Sequence, residues 1–182
     1  TADLFDGVDD QVSGQQRYAA PTTFSAEVWF KTDSVNGGEI MGFASGQPDR
    51  KNSRNSTGTV DRHLYMTAAG TLVYAVLNDA NERVAVTTAE TFNNNAWHHA
   101  VVTQTPAGST LYVDGRVAGT GQTAAAQTYV GSWRVGGDTL PGAANPSFPG
   151  FPGRGVPNYF AGAIDEFSAY PTALSAGQVT EH

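Results

Sequence analysis

Cysteine is absent from the 182 residues, so the chain has no disulfide, thiolate metal site, iron–sulfur cluster or thiol nucleophile. Charge is scarce too: Asp, Glu, Lys and Arg make up 15% of the sequence, against about a quarter in ordinary soluble domains. Basic residues are the scarcer kind, 10 against 17 acidic for a net charge of −7. That balance argues against a nucleic-acid or anionic-membrane surface as the main role. No apolar run reaches membrane-span length, so no membrane insertion is expected. Thr1–Phe5 lacks a basic n-region and an apolar h-region, and the chain reads as a module cut from a longer protein. What remains is 40% hydrophobic, too much for a disordered chain. A single domain of this length buries a core without cross-links. Low charge with frequent Gly, Thr and Asn looks like an extracellular all-β domain.

Period-two alternation dominates, and helical periodicity is nearly missing. Strands are expected at 24–32, 39–44, 63–67, 72–78, 83–88, 97–104, 110–114, 129–135 and 159–170. In one of them Ala26, Val28 and Phe30 share a face opposite Glu27, Trp29 and Lys31. Leu72–Leu77 is apolar on both faces, which predicts a strand covered on both sides. Asp114-Gly115 between two apolar stretches is a strong two-residue hairpin signal. Only the tail reads as helix, with Ser175 as cap, Gln178 three residues on, and Leu174 and Val179 as a small apolar face. Roughly nine to twelve short strands predict a two-sheet antiparallel β-sandwich or jelly roll in one domain, 1–182, with one short C-terminal helix.

Two stretches interrupt the strand rhythm. Residues 45–62 carry Arg50, Lys51, Arg54 and Arg62, four of the ten basic residues. Residues 136–158 hold six Gly and five Pro, 11 of 23 positions, with Phe148 and Phe151 among them. Long loops in a small domain are often functional or mobile.

Several segments together resemble a known family. Phe5-Asp6-Gly7-Val8-Asp9-Asp10 opens the series, followed by Phe24–Lys31 and Trp97-His98-His99-Ala100-Val101-Val102. Leu111–Gly115, Gly162–Phe167 and Tyr170 through Leu174-Ser175 complete it in order. The chain resembles a laminin-G-like, concanavalin-A-like jelly roll of the bacterial extracellular type, over nearly its whole length. Each motif alone is weak; six in order are specific. The resemblance implies a non-catalytic, lectin-like binding module, monomeric and secreted or on a cell surface, with carbohydrate or a glycoconjugate as partner. Such domains also serve in adhesion and protein binding, as calcium-dependent pentraxin-like binders, or as spacers beside enzyme domains, and fold does not choose among these.

Catalysis has little to stand on. Jelly-roll glycoside hydrolases set acidic residues at alternate strand positions as Glu-x-Asp-x-x-Glu, so that two carboxylates face one sugar. That pattern is missing, Glu27 stands alone, and Asp165-Glu166 are adjacent and so point to opposite faces. No Gly-x-Ser-x-Gly elbow exists for a Ser-His-Asp site. His98 and His99 are neighbours on a strand and cannot chelate one ion together. Trp97 and His99 are expected to pack on one face while His98 meets solvent or a cross-strand partner. Gly119–Ala124 matches a relaxed dinucleotide fingerprint but opens no helix.

Calcium fits better, since it takes six to eight oxygens from carboxylates and loop carbonyls. The resemblance implies a structural calcium tying first strand to last, which would engage Asp6, Gly7 or Asp9 and Asp165; ordinary turns explain the same residues. Pentraxin-like relatives imply a ligand calcium at the counterparts Asp49 or Asp61 and Asp138, although the acidic cluster of the second loop is reduced here to one residue. For sugar, aromatic rings and nearby polar groups are the needed chemistry. Trp133, Phe148, Phe151 and Tyr159 supply rings, and Arg134, Asp138, Arg154, Asn145 and Asn158 the polar partners. The same aromatics would serve equally to pin the loop and fill the core. The basic cluster Arg50-Lys51-Arg54-Arg62 could hold an anionic glycan or simply be a solvated loop.

Overall fold

A computed structural model describes residues 1–46, 59–80, 82–122, 126–138, 148–150 and 159–182. Two antiparallel sheets face each other across one apolar core. One sheet has the order β1-β13-β4-β9-β10-β11: Asp3–Asp6, Ala161–Tyr170, Phe24–Lys31, Trp97–Thr105, Gly108–Val113 and Arg116–Gly121. The other runs β2-β12-β5-β6-β7-β8: Val12–Ser13, Val130–Val135, Gly38–Ala44, Val60–Met66, Thr71–Leu77 and Arg83–Thr91. A seventh short strand, β3 (Tyr18–Ala19), pairs with β12. This is the expected β-sandwich, and its sole regular helix among the described residues is α1, Ala176–Glu181.

The alternation read from sequence becomes the packing. Phe24, Ala26, Val28 and Phe30 of β4 meet Leu64, Met66, Leu72, Tyr74 and Val76 of the opposite sheet in the core. The other face of β7 is apolar as well: Val73, Ala75 and Leu77 pack with Tyr65 and Phe148 on the outside of the sandwich. Asp114 (φ 51) and Gly115 (φ 74) make the tight β10–β11 turn with left-handed backbone at both positions, which a short acidic side chain and a glycine tolerate. Ser175 and Gln178 form the reciprocal capping box at α1, and Leu174 and Val179 dock on Val101 and Tyr112.

Two expectations change. Asp61 and Arg62 do not belong to a solvated loop; both lie in β6 and are fully buried. Arg62 holds Asp61 at 2.8 Å, donates to the Pro21 and Gln127 carbonyls, and sits about 6 Å over the Phe24, Phe43 and Tyr129 rings. A guanidinium with so many partners is a structural clamp and is unavailable to an anionic glycan. The second change concerns Trp97. His98 takes a cross-strand partner, as one alternative had it: its face is the interior, against Phe30 across β4 and against Phe92, with Asp114 and Asn94 as hydrogen-bonding partners. Trp97, expected to pack, is 42% exposed instead.

Candidate functional site

The outer face of the seven-stranded sheet carries an unusual set of side chains. β5 reads Gly-Glu-Ile-Met-Gly-Phe-Ala and is buried throughout, so Glu39 is a carboxylate inside an apolar strand. Register irregularities opposite β6 turn Ile40 and Met41 both to the core and leave Glu39 and Gly42 facing out. His63 of β6 comes out beside them, with Nδ1 2.5 Å from Glu39 Oε1. Across β5 from His63, Arg134 of β12 pairs with Gly42 in the register. Its Nη1 reaches both carboxylate oxygens of Asp138 at 2.8 Å, and Nη2 donates to the Gly46 carbonyl. A row of small residues makes the room: Gly42 between Arg134 and His63, then Ala75 on β7 and Ala85 on β8. A methyl at Gly42 would stand 2.2 Å from Glu39 Oε1 and 2.8 Å from His63 Nδ1. Glycine there keeps space for the charged pair.

All four ionisable side chains are at most 2% exposed. Burial by itself would lower the His63 pKa, but Glu39, Asp138 and Asp61 outweigh it and hold the imidazole above its ordinary value. Three buried polar atoms of the group lack a hydrogen-bond partner: Glu39 Oε2, His63 Nε2 and Arg134 Nε. They are half of the six such atoms among the described residues. Native interiors leave few polar atoms unpaired, so such clustering calls for an explanation. Phe148 covers the group, its ring edge-on to His63 at 5.6 Å and to Tyr65 at 6.1 Å, and the Tyr65 hydroxyl donates to the Pro149 carbonyl. Tyr159 closes the other side, with its backbone bridged to Glu39 and its ring against Gly137.

The six-stranded sheet offers a comparison. Its outward carboxylate, Glu27, accepts from the Tyr170 hydroxyl at 2.6 Å and lies 2.8 Å from His182 Nδ1 and 3.4 Å from His99 Nε2. That hydrogen bond holds the Tyr170 pKa up. His99 stacks on Trp29 at 4.9 Å, and burial pulls its pKa down despite Glu27. Glu27, Tyr170, His99 and His182 leave no buried side-chain atom without a partner.

The residues singled out from sequence therefore divide. Arg134 and Asp138 come together with Phe148 and Tyr159 around one site. Trp133 is on the opposite face of β12, in the core against Phe24 and Phe43. Asp61 is bound to Arg62 in the interior. Asp49, Phe151, Arg154, Asn145 and Asn158, with Arg50, Lys51 and Arg54, lie outside the described residues. Glu39 and His63 were not singled out, although a lone Glu within Gly38–Ala44 was the available signal.

At the chain start, Asp6, Asp9 and Asp10 bring carboxylate oxygens within 4.8 Å of one another. These hard oxygen donors suit calcium. Asp165 is not beside them. The β1–β13 register pairs Asp6 with Ala161, leaving Asp165 four residues further along, about 13 Å at strand rise. Its Oδ1 accepts from the Glu166 amide instead.

Comparison with known proteins gives the same fold. Among structures, a SAP-like heptameric pentraxin from Limulus polyphemus superposes with a TM-score of 0.65 at 15% identity, over 97% of this chain and 78% of that one. Mouse laminin alpha1 domains LG4-5 give 0.65 at 17% identity, over 96% and 44%. The CBM40 of Ruminococcus gnavus IT-sialidase, bound to alpha2,3 sialyllactose, gives 0.63 at 17% identity, over 100% and 97%. No curated protein sequence matches. The family model for laminin-G-type domains, described as concanavalin A-like lectin/glucanases superfamily, matches residues 6–180. The chain is thus a laminin-G-like member of the concanavalin A-like lectin/glucanase superfamily.

Proposed function

We propose that this chain is a non-catalytic carbohydrate-binding module of an extracellular protein, and that the sugar docks on the outer face of the seven-stranded sheet at Glu39, His63, Arg134 and Asp138. The carrying observation is the three unpartnered buried polar atoms gathered there, beside the Phe148 ring. Buried donors and acceptors without partners are strained, and a ligand presenting hydroxyl groups relieves them. Sugar as the ligand class draws support from the CBM40 neighbour bound to sialyllactose. The test is a glycan array on the intact chain, repeated with Gly42→Ala. Binding that disappears in the variant while the fold is retained supports the proposal; absence of any glycan signal overturns it.

Calcium enters this reading as a structural ion at Asp6, Asp9 and Asp10. Added calcium is expected to raise the melting midpoint and EDTA to reverse it, with Asp9→Asn abolishing both effects. A midpoint indifferent to calcium and EDTA removes the ion from the account.

A further inference from the structure

The hydrogen-bonding needs of the site restrict what can fill it. This step rests on the carbohydrate reading above. Arg134 Nε always carries a proton and can only donate. Glu39 Oε2 is a carboxylate oxygen on a side chain already engaged through Oε1 with His63, and it accepts. His63 Nε2 donates when the ring is charged and accepts when it is neutral with its proton on Nδ1. A ligand must therefore present one acceptor, one donor, and one atom able to play either role. Two adjacent hydroxyl groups do this in every protonation state, because each hydroxyl both donates and accepts. A carboxylate cannot: it accepts only, and would leave Glu39 Oε2 facing another anion.

The charge count points the same way. Two carboxylates, Glu39 and Asp138, stand against Arg134 and a His63 that is either charged or neutral, so the group totals zero or −1. Those four side chains together are never positive, and they sit in a chain of net charge −7. Of the described cations around this group, Arg62 is committed to Asp61 and to backbone carbonyls, and Arg83, at the start of β8 with two strands between it and β5, acts on Tyr65.

We infer that the site recognises a neutral sugar through a pair of adjacent hydroxyl groups and discriminates against sugars bearing a carboxylate. The molecule would thereby differ in ligand class from its sialyllactose-bound structural neighbour, on the same fold.

The experiment uses the intact chain on an array of neutral oligosaccharides and their carboxylate-bearing counterparts, lactose against sialyllactose and galactose- against galacturonate-terminated chains among them. Binding to neutral glycans, with the acidic counterparts about tenfold weaker or worse, is the expected result. Affinity should change little between low and high salt, since no net charge is being neutralised. Gly42→Ala, whose methyl would push aside the Glu39 carboxylate and the His63 ring, should abolish binding with the circular dichroism spectrum unchanged. Equal or stronger binding of the acidic counterparts overturns this inference and leaves the carbohydrate reading standing. Silence toward both sets overturns the carbohydrate reading itself. Neutral binding that survives Gly42→Ala in a folded variant places the sugar elsewhere and overturns the assignment to these atoms.

Discussion

Each sheet of this sandwich turns a carboxylate–histidine pair outward, but the two faces treat the pair differently. On the six-stranded sheet Glu27 is saturated by Tyr170, His182 and His99, and the tail around α1 seals the surface beside it. On the seven-stranded sheet Glu39 and His63 are more deeply buried, yet each keeps a polar atom with no partner, as does Arg134. Both arrangements use the same residue types on the same kind of surface. The difference is that one network is closed by the chain itself and the other is left for something else to close. A closed polar network stabilises a fold. An open one in a buried place stores unmet hydrogen bonding, and the proposed site rests on that property.

The comparison can be broken by mutation. Arg134→Met should have the largest effect, because Asp138 is then buried without its cation; a loss of about 3–5 kcal/mol is expected in chemical denaturation. Arg134→Met with Asp138→Leu should recover most of it, since no lone charge remains. Glu27→Gln on the other face should lower stability by only about 1–2 kcal/mol, because the amide still accepts one of the bonds. It should leave glycan binding intact. If Glu27→Gln removed binding while Arg134→Met did not, the assignment of roles to the two faces would be reversed.

Acidity separates the faces with a smaller effect. His63 is raised in the folded protein, so the native state binds its proton more tightly than the unfolded chain does. Its contribution is present below the unfolded value, near 6.5, and is lost as pH rises through the higher folded value. His99 is lowered, so its contribution is present above the unfolded value and is lost as pH falls toward the folded one. Side-chain nitrogen NMR should find the two histidines titrating on opposite sides of the ordinary value. Titration of both on the same side contradicts the electrostatics described for the pair.

Much of the fold was legible because it rests on local rules. Alternation in Phe24–Lys31 and Leu72–Leu77, the Asp114-Gly115 turn and the Ser175 cap each specify geometry within a few residues. Arg134 and Asp138 were legible as candidates because they flank a stretch of odd composition. Their ion pair was not, since it depends on which face of β12 they occupy. Glu39 and His63 depend on the irregular β5–β6 register, and a shift of one residue would send Glu39 into the core. Asp165 was misplaced relative to Asp6 for a similar reason, because proximity of first and last strands does not fix which residues are opposite. Arg62 reads as part of a basic loop because nothing local in the sequence marks the start of β6 at Val60.

The most direct test is a glycan titration followed at the imidazole nitrogens of His63 and His99 in one sample. A bound neutral glycan should shift the His63 resonances, whose Nε2 gains a partner, and leave those of His99 where they are. Movement of the His99 and Trp29 signals with His63 unchanged would place the ligand on the six-stranded sheet and contradict the account.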